Sequence, residues 1–402
     1  MRTNGFALFT GPSAWERAEK SVSRVVRCCT SVQLGPGPSF GKKANASDSK
    51  SCFVAYSLEE EGGFPLVHGF ADDPAGFSSG ASRGEFAFLT LEEDHAIAGR
   101  DPMGTRPLYV DEAQTCVASD HRFFIEKPTL LPNGVRIDLT SGEKALSRVQ
   151  PVRGDLDEDE AARALSRILE QAVSRRVGGR KKVAVSFSGG LDSSIIALIA
   201  SRKTEVVLCS AFTKASADKE RTRKASELLG LEHRGVTIAD HDFAREVASM
   251  ELPFEPTRMD KALWCLYSTT SRLARDEGAE LILLGQLADE LFGGYMKYAL
   301  RAKESETSAA KMMEEDVAAS GERAFVRDEM ACSRFTEVRF PFADQAVAEF
   351  AMGLPLSQKI RRGERKAVLR AAAAVLGLPE ELARAPKKAA QYSSGLSKLI
   401  PP

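Results

Sequence analysis

One stretch constrains this chain more than any other, a serine- and glycine-rich turn set between an apolar run and a helical one. Val183-Ala184-Val185-Ser186-Phe187 reads as a buried strand and Ile195-Ile196-Ala197-Leu198-Ile199-Ala200 as a helix, with Ser188-Gly189-Gly190-Leu191-Asp192-Ser193-Ser194 between them. A strand, a tight glycine turn and a helix N-terminus together aim free N–H groups at one point, which makes an anion site. A pyrophosphate fits that description. Gly189 and Gly190 allow close backbone approach, Ser188 and Ser193 offer hydroxyl donors, and Asp192 supplies the hard oxygen that a phosphate-bound Mg²⁺ requires. No lysine follows the glycines, so this is not a Walker-type loop.

The surrounding segments say what sheet the turn belongs to. Ala161 to Val177 carries apolar residues at helical spacing and ends at Gly178-Gly179. Glu205 to Ser210, the stretch around Val236 and Ile238, and Glu280-Leu281-Ile282-Leu283-Leu284 read as further strands. Helical patterns separate them, one opening at Asp218 and stopping at Gly230 and one rich in Leu263, Leu266, Tyr267 and Leu273. Strands alternating with helices predict an α/β fold with a doubly wound parallel sheet, its ligand at the carboxyl ends of the strands where the strand order reverses.

The N-terminal part reads differently. Short runs (Cys52 to Tyr56, Glu85 to Leu91, His95 to Ala98, Pro107 to Val110, Val135 to Leu139) separated by turns predict a smaller β-rich α+β domain over residues 1–150. Gly35 to Lys50 reads as a loop, Gln150 to Glu160 as a linker, and the α/β domain is expected over residues 155–402. With 402 residues and 43% hydrophobic content, each part can bury its own core. A formal net charge of −1 provides no bulk field for nucleic acid, and no apolar run reaches the length of a membrane span. Seven scattered cysteines without a CxxC spacing suit thiols in a reducing cytoplasm rather than disulfides or zinc, and the first residues carry no leader pattern.

A second motif follows the fourth α/β strand: Gly285-Gln286-Leu287-Ala288-Asp289-Glu290-Leu291-Phe292-Gly293-Gly294-Tyr295. A carboxylate at that strand end, opposite Asp192, is what a cation bridging a pyrophosphate requires, so Asp289 is the second expected metal ligand. The Ser-Gly-Gly-x-Asp-Ser turn resembles the loop of the ATP pyrophosphatase group, and the second motif resembles the Gly-Glu-Gly-Ala-Asp-Glu-Leu-Phe-Gly-Gly-Tyr segment of asparagine synthetases. Arg327-Asp328, residues 336–344 and the Lys366-x-x-Leu369-Arg370 pattern are similar to the same synthetase domain, and most of these residues read as ion pairs and turns that close a helical subdomain over the sheet. Ala385-Pro386-Lys387-Lys388 resembles the Pro-Lys that asparagine and β-lactam synthetases place on the reacting centre. Lys387 is the better match. Gly84 to Phe88, Ala98 to Tyr109 and Ala118 to Asp120 resemble part of a class II glutaminase domain.

The resemblance implies an AMP- and pyrophosphate-forming amide synthetase that uses ATP and Mg²⁺. Phe187, Ser210, Phe212, Leu284 and Gly285 would surround the nucleoside, Ser188, Gly189, Gly190, Asp192, Ser193 and Ser194 the phosphates, and Asp192 and Asp289 the metal. A carboxylate, with aspartate the first candidate, would become an acyl-adenylate, and Lys387 would stabilise the charge that develops. Gln286 stands where those enzymes place a glutamate, and glutamine can position an amine by hydrogen bonding but cannot take its proton. The glutaminase family uses a cysteine at mature position one; this chain reads Met1-Arg2-Thr3, with Cys28 and Cys29 read as structural thiols. The expectation is a glutaminase-like scaffold without glutaminase activity and ammonia as nitrogen source, with room for a separate glutaminase and for a homodimer. Three other readings are intramolecular amide formation of the β-lactam synthetase kind, a tRNA-modifying pyrophosphatase, and an ATP-binding regulator that has lost turnover.

Overall fold

Alternating apolar positions in the first 150 residues build two antiparallel sheets in the computed structural model, which describes residues 5–10, 33–36, 51–56, 66–92, 95–214, 216, 218–385 and 395–399. One sheet contains β1 (Gly5–Thr10), β2 (Gln33–Pro36), β3 (Ser51–Tyr56), β7 (Tyr109–Val110), β8 (Cys116–Ala118) and β9 (Thr129–Leu130), in the order β2-β3-β1-β8-β7-β9. The other runs β11-β10-β6-β5-β4 and contains β4 (Leu66–Ala71), β5 (Gly84–Glu92), β6 (His95–Arg100), β10 (Val135–Asp138) and β11 (Lys144–Leu146). Both sheets supply one core, with Phe6, Leu8 and Val117 from the first meeting Ala87, Leu89, Ala98 and Ile137 from the second.

The expected loop at Gly35 to Lys50 is corrected at its start, since Gly35 and Pro36 pair with Phe53 and Cys52. Pro36, which has no N–H to donate, is accommodated because β2 is the edge strand of its sheet. The Arg100-Asp101 block has a structural explanation. The Asp101 carboxylate, fully buried, accepts from the backbone N–H of Met103, Thr105 and Phe86 and from the Thr105 hydroxyl, so it ties the turn after β6 back onto β5.

The remaining chain forms the α/β part. Five parallel strands, β12 (Lys182–Ser186), β13 (Glu205–Thr213), β14 (Glu232–Ile238), β15 (Leu281–Leu283) and β16 (Glu337–Arg339), lie in the order β14-β13-β12-β15-β16. The strand order reverses between β12 and β15, which is where open α/β sheets bind ligands. Val183, Val185, Val207, Leu208, Ile282 and Leu283 are completely buried, each contributing about 1.5–3 kcal/mol relative to exposure. β14 is an edge strand and mostly exposed, so only its last residues carry an apolar signal.

Helices start where the sequence supplies caps. Glu158–Val177 begins with a capping box in which Asp157 accepts from Glu160 N–H and the Glu160 side chain accepts from Asp157 N–H. Arg258–Asp276 repeats the device with Thr257 and Asp260. Residues Glu306–Ser320, polar and alanine-rich, are helical. Among the described residues no helix is long and apolar enough to cross a membrane. Cys116, Cys209, Cys265 and Cys332 are buried free thiols, while Cys28 and Cys29 lie outside the described residues. Burial pushes Cys209 and Cys265 up to about 12, so neither is a thiolate near neutral pH. By compactness the chain divides into Met1–Val149 with Ser320–Val326, and Gln150–Ala319 with Arg327–Pro402.

Candidate functional site

The turn after β12 is built for close approach. Phe187 N–H still pairs with Cys209 O at 2.8 Å, and the chain then turns through Gly189 at φ +66°, a left-handed conformation that favours glycine. The helix Leu191–Ser201 starts at Gly190 with no side chain capping it, which leaves its first N–H groups for a ligand. Ser188 and Ser193 face each other across the turn, their hydroxyls 3.3 Å apart, and Arg221 holds the outer side of the turn through Ser188 O at 2.6 Å.

The turn after β15 is short. Leu284 donates to Arg339 O at 3.0 Å, Gly285 and Gln286 are half-buried, and the short helix Ala288–Phe292 begins at once. Leu287, the residue before that helix, is buried with φ +79°, so the position that the resembling synthetase segment fills with glycine does require the left-handed region. Gly285 lies against Asp192; a Cβ there would come within 3.3 Å of the Asp192 Cβ.

Asp192 and Asp289 converge across the switch point on one cation, the ammonium of Lys366. Lys366 Nζ donates to Asp192 Oδ1 and Oδ2 at 2.7 Å each and lies 2.6 Å from Asp289 Oδ1. Burial opposes the charge on Lys366, and the two carboxylates outweigh it, so the ammonium is held above the ordinary lysine range. The cluster carries two negative charges and one positive, in a setting where only the carboxylates keep partial access to solvent. Gly294 seals it from the far side, since a side chain there would run into Asp289 Oδ1 and Lys366 Cε. Lys366 thus forms an ion pair, as expected of most residues in the closing segments, made here with the two expected metal ligands. Arg327 with Asp260 at 2.9 Å, and Arg175 and Arg176 with Asp344 at 2.6 and 2.8 Å, are ion pairs of the same expected kind.

The residues expected around the nucleoside lie at or just past the carboxyl ends of β13, β12 and β15, which are neighbours in the sheet, with Leu284 and Gly285 directly after β15. Phe187, Ser210 and Phe212 are buried at the ends of β12 and β13, and the Ser210 hydroxyl donates to Phe187 O at 2.7 Å with His233 Nε2 at 2.9 Å. Ser194 is buried in the first turn of its helix. Lys387 lies outside the described residues, as do its neighbours 386–394. The flanks of that segment are fixed: Arg370 donates to Ala385 O at 3.2 Å, and Gly395 packs on Thr213 at the carboxyl end of β13.

Comparison with known proteins gives the family of the chain. The asparagine synthase family model matches residues 164–325 and 301–399, which take in β12, β15, Asp192, Asp289 and Lys366. The chain belongs to the asparagine synthase family. A putative glutamine-hydrolysing asparagine synthetase of Methanocaldococcus jannaschii is 27% identical over 380 residues, covering 79% of this chain and 70% of that protein. The glutamine-hydrolysing asparagine synthetase of Cricetulus griseus is 25% identical over 364 residues, covering 79% of this chain and 64% of that one. The carboxyethyl-arginine beta-lactam-synthase of Streptomyces clavuligerus is 28% identical over 347 residues, 78% of this chain and 65% of that enzyme. The chain thus spans about two thirds of the length of these asparagine synthase relatives.

Proposed function

We propose that this member of the asparagine synthase family is an ATP-dependent amide synthetase. It joins a carboxylate to nitrogen in two steps: ATP and R–COO⁻ give the acyl-adenylate and pyrophosphate, and ammonia then displaces AMP to give the amide and a proton. The observation that carries the reading is the Asp192–Lys366–Asp289 cluster at the switch point of the parallel sheet. Pure nucleotide binding has no need of two carboxylates focused on one buried position; departure of a pyrophosphate does.

Two carboxylates that reach one cation, beside a turn shaped for phosphate, are a donor set that suits Mg²⁺, which binds through one or two carboxylates and substrate phosphates. Asp192 and Asp289 would hold it, and it would supply charge neutralisation on the departing pyrophosphate. The chain's own groups account for the rest. Gly189, Gly190 and the open N-terminus of Leu191–Ser201 present N–H groups to the phosphates, and Ser188 and Ser193 add hydroxyls. Lys366 keeps the two carboxylates together before substrate arrives and has N–H donors that can turn to a phosphate oxygen. Gln286 sits in the β15 turn beside the reacting centre, where its amide can orient the incoming amine without accepting its proton. Lys387 is assigned the developing charge at the α-phosphate.

Aspartate is the proposed acyl substrate, and ammonia the proposed nitrogen donor. The first 150 residues hold no Asn-Gly-Glu or Arg-Gly-Pro-Asp segment of the kind that binds glutamine in class II glutaminases. The N-terminal unit is accordingly proposed as a glutaminase-like scaffold. The likeness to a beta-lactam-synthase favours intramolecular amide formation as the second reading.

The test is release of pyrophosphate and AMP from Mg²⁺-ATP with and without aspartate and ammonia, in the natural protein and in Asp192→Ala. Product formation that needs both co-substrates and disappears in the variant is expected. AMP formed from an amino-substituted acid without ammonia would favour the intramolecular reading. Formation of ADP and phosphate, or no turnover with any of a panel of carboxylic acids despite ATP binding, would overturn the synthetase reading.

A further inference from the structure

Three neighbouring strands of the parallel sheet are joined by a chain of side-chain hydrogen bonds that ends on the backbone just before the Ser-Gly-Gly turn. His233 Nε2, on β14, lies 2.9 Å from the Ser210 hydroxyl on β13, and that hydroxyl donates to Phe187 O, directly after β12, at 2.7 Å. A serine hydroxyl has one proton to give. Here it goes to Phe187 O, so His233 is the donor to Ser210 and Nε2 carries its proton. Burial, with Arg234 adding to it, holds His233 below the ordinary histidine value, which favours that neutral ring. The Phe187 ring meets the imidazole edge-on, with centroids 6.2 Å apart.

What this chain of bonds holds is one peptide plane. A trans peptide points its C=O and the following N–H in opposite directions, so anchoring Phe187 O on Ser210 aims Ser188 N–H the other way, toward Ser193 in the first turn of Leu191–Ser201. Ser188 N–H meets the Ser193 hydroxyl at 3.4 Å, longer than an ordinary N–H···O bond, and a phosphate oxygen is the stronger acceptor. The next carbonyl is held in the same manner. Arg221 donates to Ser188 O at 2.6 Å, which turns Gly189 N–H away from it. With Gly189 in the left-handed region, successive N–H groups converge as they do in the backbone nests that bind anions.

We propose that Ser210 and His233 are positioning residues for phosphate binding: they hold Phe187 O from behind, so that Ser188 N–H is presented to a phosphate oxygen before the nucleotide arrives. Ser210 is 2% exposed and its hydroxyl is engaged by both neighbours, so its work lies at the phosphate end and not in the nucleoside set where the resemblance puts it. With the anchor gone the peptide can turn over, and it then offers the phosphate a carbonyl oxygen, which repels it. His233 acts one step further back, by fixing the direction in which the Ser210 proton points. The inference deepens the proposed function and rests on its reading of this turn as a phosphate site; it does not rest on the acyl or amine chemistry.

The test is calorimetric titration of the whole chain with Mg²⁺-ATP, Mg²⁺-pyrophosphate and adenosine, in the natural protein and in Ser210→Ala, His233→Leu and His233→Gln. Ser210→Ala should weaken ATP and pyrophosphate about tenfold, as when only about a tenth of the molecules keep the competent peptide orientation. His233→Leu should weaken both about threefold, because Ser210 keeps its own bond to Phe187 O. Adenosine, which has no phosphate, should change by less than about twofold in either variant. His233→Gln restores a side-chain N–H and should recover affinity to within about twofold of the natural protein. Should the buried Ser210→Ala fail to fold, the two variants of half-buried His233, on the edge strand, decide the question. Adenosine weakened as much as pyrophosphate, pyrophosphate affinity unchanged in Ser210→Ala and His233→Leu, or no recovery in His233→Gln would each overturn the proposal. A natural protein that binds neither ATP nor pyrophosphate would overturn the phosphate reading of the turn together with it. Failure to find an acyl substrate touches none of these titrations, which contain no carboxylic acid.

Discussion

Lys366 Nζ lies 2.7 Å from both carboxylate oxygens of Asp192, a residue 174 positions earlier in the chain, and 2.6 Å from Asp289. The chain supplies its own cation to a pair of carboxylates that would otherwise repel each other across the switch point.

Removing that cation should separate two roles. Lys366→Met leaves two like charges facing each other, so the variant should be less stable by about 3–5 kcal/mol, as for other buried pairs broken on one side. Millimolar MgCl₂ should raise its melting temperature by several degrees while moving that of the natural protein little, because only the variant lacks an internal counter-ion. Turnover should fall about 10²- to 10³-fold if Lys366 also reaches a phosphate oxygen. Thermal melts with and without Mg²⁺ read the first role and pyrophosphate release the second.

Leu287 combines a left-handed backbone with a buried side chain, and two substitutions distinguish the contributions. Leu287→Ala loses packing and keeps the backbone cost; Leu287→Gly loses slightly more packing and relieves roughly 1–2 kcal/mol of that cost. Both should destabilise, but the glycine variant by about 1 kcal/mol less, the reverse of the order expected in a helix or strand interior. Urea titrations of the two variants side by side decide it.

Asp344 predicts a pH dependence. Burial works against its charge, and Arg176 together with Arg175 outweighs it, holding the carboxyl below the usual aspartate range. A depressed acid stabilises the fold above its unfolded value and loses that contribution as pH falls through its folded value. Asp344→Asn should therefore cost about 3–5 kcal/mol at pH 7, with the difference from the natural protein narrowing only below about pH 4. Denaturant titrations from pH 7 to pH 3 measure the gap.

Lys359 has the opposite sign. Its folded-state value of about 8 lies below the 10.5 of an ordinary lysine, so the unfolded chain holds more protons between the two and stability rises with pH across that window. Lys359→Met should remove the rise and be more stable than the natural protein at pH 7 by about 3 kcal/mol. Equal stability of the two at pH 7, by calorimetry, would count against a lysine whose charge is disfavoured by burial.

Much of this fold is legible in the residues. Glu85 to Leu91, His95 to Ala98 and Val135 to Leu139 became β5, β6 and β10 because alternation and turn residues agree there. The Ser-Gly-Gly turn and the Asp289 helix fall at strand ends because short buried runs and glycines mark both. Strands such as β8 and β9 escaped, being only two or three residues long and recognisable only by their partners. The Lys-x-x-Leu-Arg pattern marks Lys366, but its place beside Asp192 is set by tertiary packing. The one local hint is its position directly before the apolar start of the helix Ala367–Val375, where a charged residue needs a partner nearby. Lys359 gave no signal, since a lysine after Leu356-Ser357-Gln358 looks like an ordinary surface residue.

The order of the three charges along the chain bears on how the protein is made. A polypeptide growing from its N-terminus contains Asp192 and Asp289 before Lys366 exists, so the sheet that holds the two carboxylates can form only with an uncompensated charge pair at its centre. Parallel strands already pair late, because they join segments far apart in sequence. The nascent α/β unit is thus electrostatically unfinished until the segment bearing Lys366 leaves the ribosome, and its acidic centre closes after the strands that carry the two carboxylates rather than as the seed of the fold.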